Sequence, residues 1–304
     1  MPATPANPGQ QAVTDKGWFK AHQWLLLRRT SQLLVLGLFL AGPWLGWWIV
    51  KGNLASSLTL DVLPLTDPLV LLQEVAAGQT PLVTAIIGAV LVTAFYVLVG
   101  GRTYCSWICP VNIITDAAEW LRYRLGIKGG AHLSRQARYW LLGGILLGAA
   151  LTGSILWELI NPVSMVFRGL VFGMGLAWGM VAVIFLFDLI VSRRGWCGHL
   201  CPVGAFYSLI GHFSALRVSA IAREKCDDCM DCFAVCPEHQ VIRPALKGAD
   251  KGPEHDPGPM ILDGNCTNCG RCIDVCAQNV FTFSHRFHTP SKVAGVVDKR
   301  EVLP

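Results

Sequence analysis

Charge is what this 304-residue chain has least of. Asp, Glu, Lys and Arg make up 15% of it, against about 25% in a soluble domain. With 53% hydrophobic residues alongside, that shortage excludes an ordinary soluble globule and points to a membrane protein. There is no Lys/Arg-rich run of the kind that tracks nucleic acid, and the formal net charge is only +5, so no nucleic-acid partner is expected. A cleavable signal is missing too: the first apolar run starts only near Leu33, is long, and has no Ala-x-Ala exit. The twelve cysteines do not describe a secreted disulfide scaffold, because that class is short, soluble and loop-rich.

What the chain does have is four apolar runs, roughly 33–50, 82–100, 139–157 and 170–191. Each approaches the length of about 20 residues that a bilayer crossing needs. Pro43 lies inside the first, which membrane helices tolerate when neighbours satisfy the backbone. Lys16, Lys20, Arg28 and Arg29 precede the first run. Arg102, Arg122, Arg124, Lys128, Arg135 and Arg138 separate the second from the third, and Arg193 and Arg194 follow the fourth. The opposite connections hold Lys51, Asp61, Asp67 and Glu74 in one case, and Glu158 and Arg168 in the other. The positive-inside rule therefore predicts both termini in the cytoplasm. All twelve cysteines then share that reducing side, where structural disulfides are rare. Arg28-Arg29 reads as a positive anchor at the inner end of the first crossing rather than as a twin-arginine export signal.

The last third carries Cys226-x2-Cys229-x2-Cys232-x3-Cys236-Pro237, then Cys266-x2-Cys269-x2-Cys272-x3-Cys276. This is the bacterial two-cluster spacing, in which the fourth cysteine of each run serves the other cluster. The expected sets for two [4Fe–4S] clusters are Cys226, Cys229, Cys232 and Cys276, and Cys266, Cys269, Cys272 and Cys236. Ala277 stands where the first run has proline, at a position that turns the chain and is not a ligand. Zinc also takes four cysteines, but not with this doubled spacing. Two clusters in one small fold suit electron transfer.

The membrane part repeats itself. Arg102-Thr103-Tyr104-Cys105-x3-Cys109-Pro110-Val111 closes the second run, and Arg194-Gly195-Trp196-Cys197-x3-Cys201-Pro202-Val203 closes the fourth. In a helix, cysteines at i and i+4 share a face. Two such pairs related by a pseudo-twofold axis would give a four-thiolate site from Cys105, Cys109, Cys197 and Cys201, a possible third iron–sulfur centre. The alternatives are free thiols or a regulatory redox pair. On the opposite side Asp61 precedes Pro64-Leu65-Thr66, and Glu158 precedes Pro162-Val163-Ser164. A quinol that gives up two electrons must lose two protons, and a carboxylate at the membrane edge suits that task. Asp61 and Glu158 are thus the candidate proton acceptors, with helix capping as the plainer reading. Asp188, late in the fourth run, is expected to pair with Arg193 or Arg194, and His199 lies between Cys197 and Cys201. The Trp residues, such as Trp44, Trp47 and Trp48, fit an interfacial belt.

The fold class expected is a mainly α membrane protein: four transmembrane helices as two parallel repeats, followed by a small α+β bacterial-type 2[4Fe–4S] ferredoxin domain. The divisions are 1–32, a cytoplasmic N-terminal segment; 33–212, the membrane domain; 213–288, the ferredoxin-like domain; and 289–304, a polar tail. Residues 1–15 read as disordered, and 245–259, rich in Gly, Pro and charge, as a loop.

Several stretches together resemble the NapH-type ferredoxin proteins, over nearly the whole chain. They are Gly17-Trp18, Leu27-Arg28-Arg29, Pro64-Leu65-Thr66-Asp67-Pro68, Cys105-Ser106-Trp107-Ile108-Cys109-Pro110, Trp157-Glu158-Leu159-Ile160-Asn161-Pro162-Val163-Ser164, Gly195-Trp196-Cys197-Gly198-His199-Leu200-Cys201-Pro202-Val203-Gly204 and Cys229-Met230-Asp231-Cys232. The resemblance implies the membrane subunit of a quinol dehydrogenase in a Gram-negative inner membrane. It also implies electron passage from quinol to a NapG-type periplasmic ferredoxin partner and on to periplasmic nitrate reductase. The alternatives are a membrane iron–sulfur reductase serving copper-oxidase assembly, and a redox sensor without turnover. Such a route must also reach outward from clusters expected inside, across a hydrocarbon core of about 30 Å.

Overall fold

The computed structural model describes residues 8–127, 129–131, 133–248 and 256–287. The tail 289–304, the start of the N-terminal segment and the middle of the 245–259 loop lie outside the described residues. The chain is mostly helical. The first apolar run lies in the 23-residue helix Gln23–Leu45, which keeps Pro43 inside it and ends at Gly46, whose φ of 75° closes it in the left-handed conformation. Among the described residues this is the one helix long and apolar enough to cross a membrane.

The second run forms one unbroken helix over all but its two end residues, and the last two runs are interrupted. Val83–Val99 has 17 residues and Ala137–Thr152 has 16. The fourth run divides at Gly173, φ 66°. Its upstream end finishes the helix Pro162–Phe172, and Gly175–Leu186 continues as a π-helical turn over Phe187–Val191. The run 139–157 stops at Gly153, so Leu156–Ile160 is a separate turn, and Val50 belongs to a strand. Apolar content is the same in a broken helix and a continuous one; a glycine with positive φ is what separates them.

After the first helix comes an antiparallel sheet of Val50–Gly52, Ser56–Thr59 and Leu63–Thr66, in that order, with Val50 opposite Thr59 and Ser56 opposite Thr66. It delivers the chain to Asp67-Pro68, where the half-helix Pro68–Ala76 begins; the Asp67 carboxylate accepts from the Leu69 amide at 2.9 Å. The helix Pro162–Phe172 opens the same way, with Asn161 accepting from the Val163 amide at 3.1 Å. An oxygen cap followed by proline at the first helical position is a strong start signal. Both half-helices lead inward. Leu69 packs with Tyr96, Tyr104, Trp157, Val203 and Tyr207, and Val163 with Val111, Ile184 and Trp196.

The C-terminal part holds the antiparallel pair Leu216–Ser219 and Thr282–His285 over a core that includes Val218, Ile242, Ile261 and Phe281. The short helices Asp231–Val235 and Arg271–Val275 follow the two cysteine turns. The N-terminal segment folds back onto this part. Gly9 donates to the Asp231 carboxylate at 2.7 Å, Lys16 to the Ile273 carbonyl at 3.1 Å, and the Trp24 and Leu25 amides to Asp274 at 3.1 and 3.0 Å.

Candidate iron–sulfur centre

The two Cys-x2-Cys-x2-Cys turns share one backbone pattern. Asp228 and Met230 in the first, and Asn268 and Gly270 in the second, have φ between 45° and 71°. Residues in that conformation curl the chain and turn successive amides to one side, the arrangement that receives an anionic group. Each turn borders a cavity. The lining of one includes Cys226, Cys229, Cys232 and Cys276. The lining of the other includes Cys236, Cys266, Cys269 and Cys272. Among the described residues no three His, Cys, Asp or Glu side chains are gathered to hold a single ion. The thiols surround volumes, which is the donor arrangement of a multi-iron cluster and not of tetrahedral zinc.

Burial pushes the Cys266 thiol up to about 12 and raises Cys236 and Cys272 as well. Cys269 goes the other way: burial opposes its ionisation, but Arg271 and Arg28 beside it hold it below the ordinary thiol value.

The second cavity is stitched to the helical part upstream of it. Ser106 Oγ donates to the Thr267 carbonyl at 2.8 Å, Trp107 Nε1 to the Asn268 carbonyl at 3.0 Å, and Asn268 Nδ2 to the Val99 carbonyl at 3.0 Å. Glu238, two residues past Cys236, accepts from Arg102 at 2.5 Å and Arg138 at 2.8 Å, all three side chains being at most 2% exposed. The same arginines donate to the Cys197 carbonyl at 3.0 Å and the Gly198 carbonyl at 3.1 Å. One carboxylate therefore ties the Cys236 segment to both CxxxCP elements.

Cys105, Cys109, Cys197 and Cys201 are brought into mutual electrostatic reach, and burial raises all four thiols. The two elements differ in local shape: Thr103–Trp107 is α-helical and Trp196–Leu200 π-helical. The expected i, i+4 helical face is thus only approximate.

The acids depart from expectation. Asp61, in the turn before the third strand, has a carboxylate 61% exposed and bound by Lys51 at 2.7 Å. Glu158 is held by Asn161 at 3.3 Å and faces Arg168 at 3.5 Å, and its Oε1 is buried without a hydrogen-bond partner. The acid that reaches Glu158 electrostatically is Asp67, which is buried, with the Tyr207 hydroxyl as its side-chain neighbour. Sequence reading passed it over by aligning Asp61 with Glu158; the signal was the Asp67-Pro68 and Asn161-Pro162 correspondence, two caps in matching places. Asp188 does not take the expected arginines. It accepts from the Trp196 amide at 2.9 Å, while Arg193 and Arg194 go to Glu119 and Arg194 also to Asp116. Arg28 and Arg29 are not exposed anchors: Arg28 is fully buried and Arg29 pairs with Asp116. His199 is half-buried with an unpartnered Nδ1.

Comparison with known proteins finds two matching family models. A 4Fe-4S binding domain matches residues 82–128 and 162–219, and a 4Fe-4S dicluster domain matches residues 225–280. The chain is 49% identical over 287 residues to the ferredoxin-type protein NapH of Escherichia coli, covering 94% of this chain and 98% of that one. It is 47% identical over 287 residues to NapH of Haemophilus influenzae, with the same coverage. It is 54% identical over 276 residues to the methylamine utilization ferredoxin-type protein MauN of Paracoccus denitrificans, covering 91% and 95%. No solved structure matches.

Proposed function

The chain belongs to the NapH-type family of ferredoxin-type iron–sulfur proteins, and from that premise we propose that it is the membrane subunit of a quinol dehydrogenase. Residues 33–212 form its membrane domain, four crossings in two parallel repeats, and residues 213–288 its ferredoxin domain. Both termini lie in the cytoplasm and the membrane is the cell inner membrane. The observation that carries this reading is the direct hydrogen bonding of the second cysteine cavity to the first CxxxCP element, which joins the electron-handling part to the membrane part.

Cys226, Cys229, Cys232 and Cys276 hold one [4Fe–4S] cluster, and Cys266, Cys269, Cys272 and Cys236 the other. Bound clusters supply one-electron transfer. Cys105, Cys109, Cys197 and Cys201 hold a third centre, supported by their mutual electrostatic proximity. Proton acceptance falls to Glu158 and to Asp67 in place of the exposed Asp61. Two protons leave a quinol, and these two carboxylates lie within reach of one another. The electron partner is a NapG-type periplasmic ferredoxin, leading towards periplasmic nitrate reductase.

The test is anaerobic purification, an iron count, and electron spin resonance before and after a quinol is added. Three centres correspond to about twelve irons per chain; about eight, in a correctly folded protein, removes the third centre. Reduction by dithionite but by no quinol, with the partner present, overturns the dehydrogenase reading.

One observation favours a different electron chain for the same subunit. Identity to the Paracoccus MauN, 54%, exceeds the 49% to the Escherichia coli NapH, so a methylamine-utilising system is the second reading. Restoring growth on nitrate or on methylamine in strains lacking the respective relative separates the two.

A further inference from the structure

Arg28 is completely buried, and its Nε and Nη1 have no hydrogen-bond partner. A guanidinium does not shed its proton, and a buried cation without an anion is strongly unfavourable. Its helix fixes where it stands. One turn earlier, Trp24 lies against Gly270, so closely that a Cβ there would come within 2.5 Å of the indole. One turn later, Gln32 donates to the Ser106 and Cys109 carbonyls at 3.0 and 3.3 Å. The charged groups around Arg28 include Arg271, Cys269, Asp116, Arg29 and Asp274. Asp116 is already engaged by Arg29, Arg194 and Arg271, and Asp274 accepts from the Trp24 and Leu25 amides. Cys269 also faces Arg28 and belongs to the turn against which its helix packs.

The excess of positive charge extends around that cysteine set. Arg271 and Arg194 act on Cys269, Arg194 also on Cys236, and Arg217 and Arg102 on Cys266. Arg217 spends its hydrogen bonds on the Ser214, Asp263 and Gly211 carbonyls, and its charge is shared between Cys266 and the Asp263 carboxylate. The other set has the opposite setting. Asp228 stands beside Cys226, and Asp227 and Asp231 beside Cys229; the cations there are Lys247 near Cys226 and Lys16 near Cys276.

We propose that Arg28 sets the reduction potential of the cluster held by Cys236, Cys266, Cys269 and Cys272 above that of its neighbour, making it the station where a single electron comes to rest. Adding an electron adds negative charge. A fixed cation in a low-dielectric site stabilises the reduced form more than the oxidised one, and carboxylates do the reverse. The proposal rests on the ligand assignment given above. It adds a direction: the electron is held on the side of the membrane part, and the second station faces solvent beside acidic residues.

The experiment uses the full chain with its clusters, purified without oxygen and titrated against redox mediators under electron spin resonance, with iron counted in each sample. Wild type should show a separate one-electron step for each of the two ferredoxin clusters, resolved from the signal of the third centre. Arg28→Gln should lower the upper step by at least a tenfold change in the reduced-to-oxidised ratio, 59 mV for one electron, and leave the lower step in place. Arg28→Lys keeps the charge and should stay within threefold of wild type. An upper step unmoved in Arg28→Gln at full iron content overturns the inference, as does an equal fall of both steps. If Arg28→Gln does not retain iron, Arg28→Lys decides, and a tenfold fall despite the retained charge overturns the proposal. Fewer than about eight irons in wild type would instead show that the ligand assignment has failed, and the inference falls with it.

Discussion

Glu238 and Arg102 lie 2.5 Å apart with neither side chain more than 2% exposed. One belongs to the segment that follows Cys236 and the other opens the first CxxxCP element, so their contact fastens the two halves of the molecule. Arg138 shares the same carboxylate oxygen. Removing one partner of a buried ion pair strands the others, at a cost of about 3–5 kcal/mol. Glu238→Gln is expected to free the ferredoxin part from the membrane part, read as new protease sensitivity near residues 215–240. Arg135→Ala, whose contact with Glu238 is longer at 3.7 Å and partly exposed, should cost under about 1 kcal/mol.

Asp116 is the second fastener, taking Arg29, Arg194 and Arg271 from three separate segments. Burial alone would raise its carboxyl, but Arg271, Arg194 and Arg29 hold it well below the usual carboxylate range. A group whose folded pKa is depressed contributes stability above its unfolded value, about 3.9, and loses it as pH falls through the folded value. The difference in thermal midpoint between wild type and Asp116→Asn should therefore stay constant from pH 8 to about 4 and shrink below that. A difference that already shrinks between pH 7 and 5 would contradict the assignment.

Asp67 and Asn161 cap matching half-helices, so the protein itself shows that asparagine is acceptable at such a cap. Asp67→Asn is expected to fold and to keep its iron, yet to be reduced by quinol at least tenfold more slowly, with reduction by dithionite unchanged. Asp67→Ala should in addition lose about 1 kcal/mol of stability with the cap. Equal quinol rates for wild type and Asp67→Asn would remove the carboxylate from proton transfer.

Gly270 combines a φ of 71° with an ideal Cβ position 2.5 Å from Trp24. Met230 adopts a φ of 65° at the equivalent place in the first turn, so the backbone alone tolerates a side chain there. Gly270→Ala should lower the thermal midpoint and loosen the N-terminal segment, and Trp24→Ala in the same chain should recover much of the loss. If the double variant is no better than the single one, backbone strain and not the indole is the cause.

The two cysteine turns were legible because their spacing is local: a run of seven residues holds three cysteines whatever surrounds it, and each turn borders a cavity that a cysteine of the other run also lines. The membrane-type helices were legible only as apolar runs. Their ends were not, because Gly153 and Gly173 interrupt helices without altering hydropathy. Asp67 was missed for a related reason: nothing in the local pattern says that the connection after the strands leads back inside, to Tyr207. The roles of Arg28, Glu238 and Asp116 come from contacts between residues far apart in the chain, so Arg28 read only as a positive anchor at the inner end of the first apolar run, with no sign of its complete burial.

The backfolded N-terminal segment has a consequence for how the molecule is made. The Trp24 and Leu25 amides find their acceptor in Asp274, about 250 residues later. The segment before the first helix therefore cannot reach its final place until a stretch about 250 residues later has been synthesised. Contacts so distant in sequence form late. The first helix can enter the membrane early, but the stretch before it must wait as an unlatched strap. Its closure over the second cysteine turn can then only follow the synthesis of that turn.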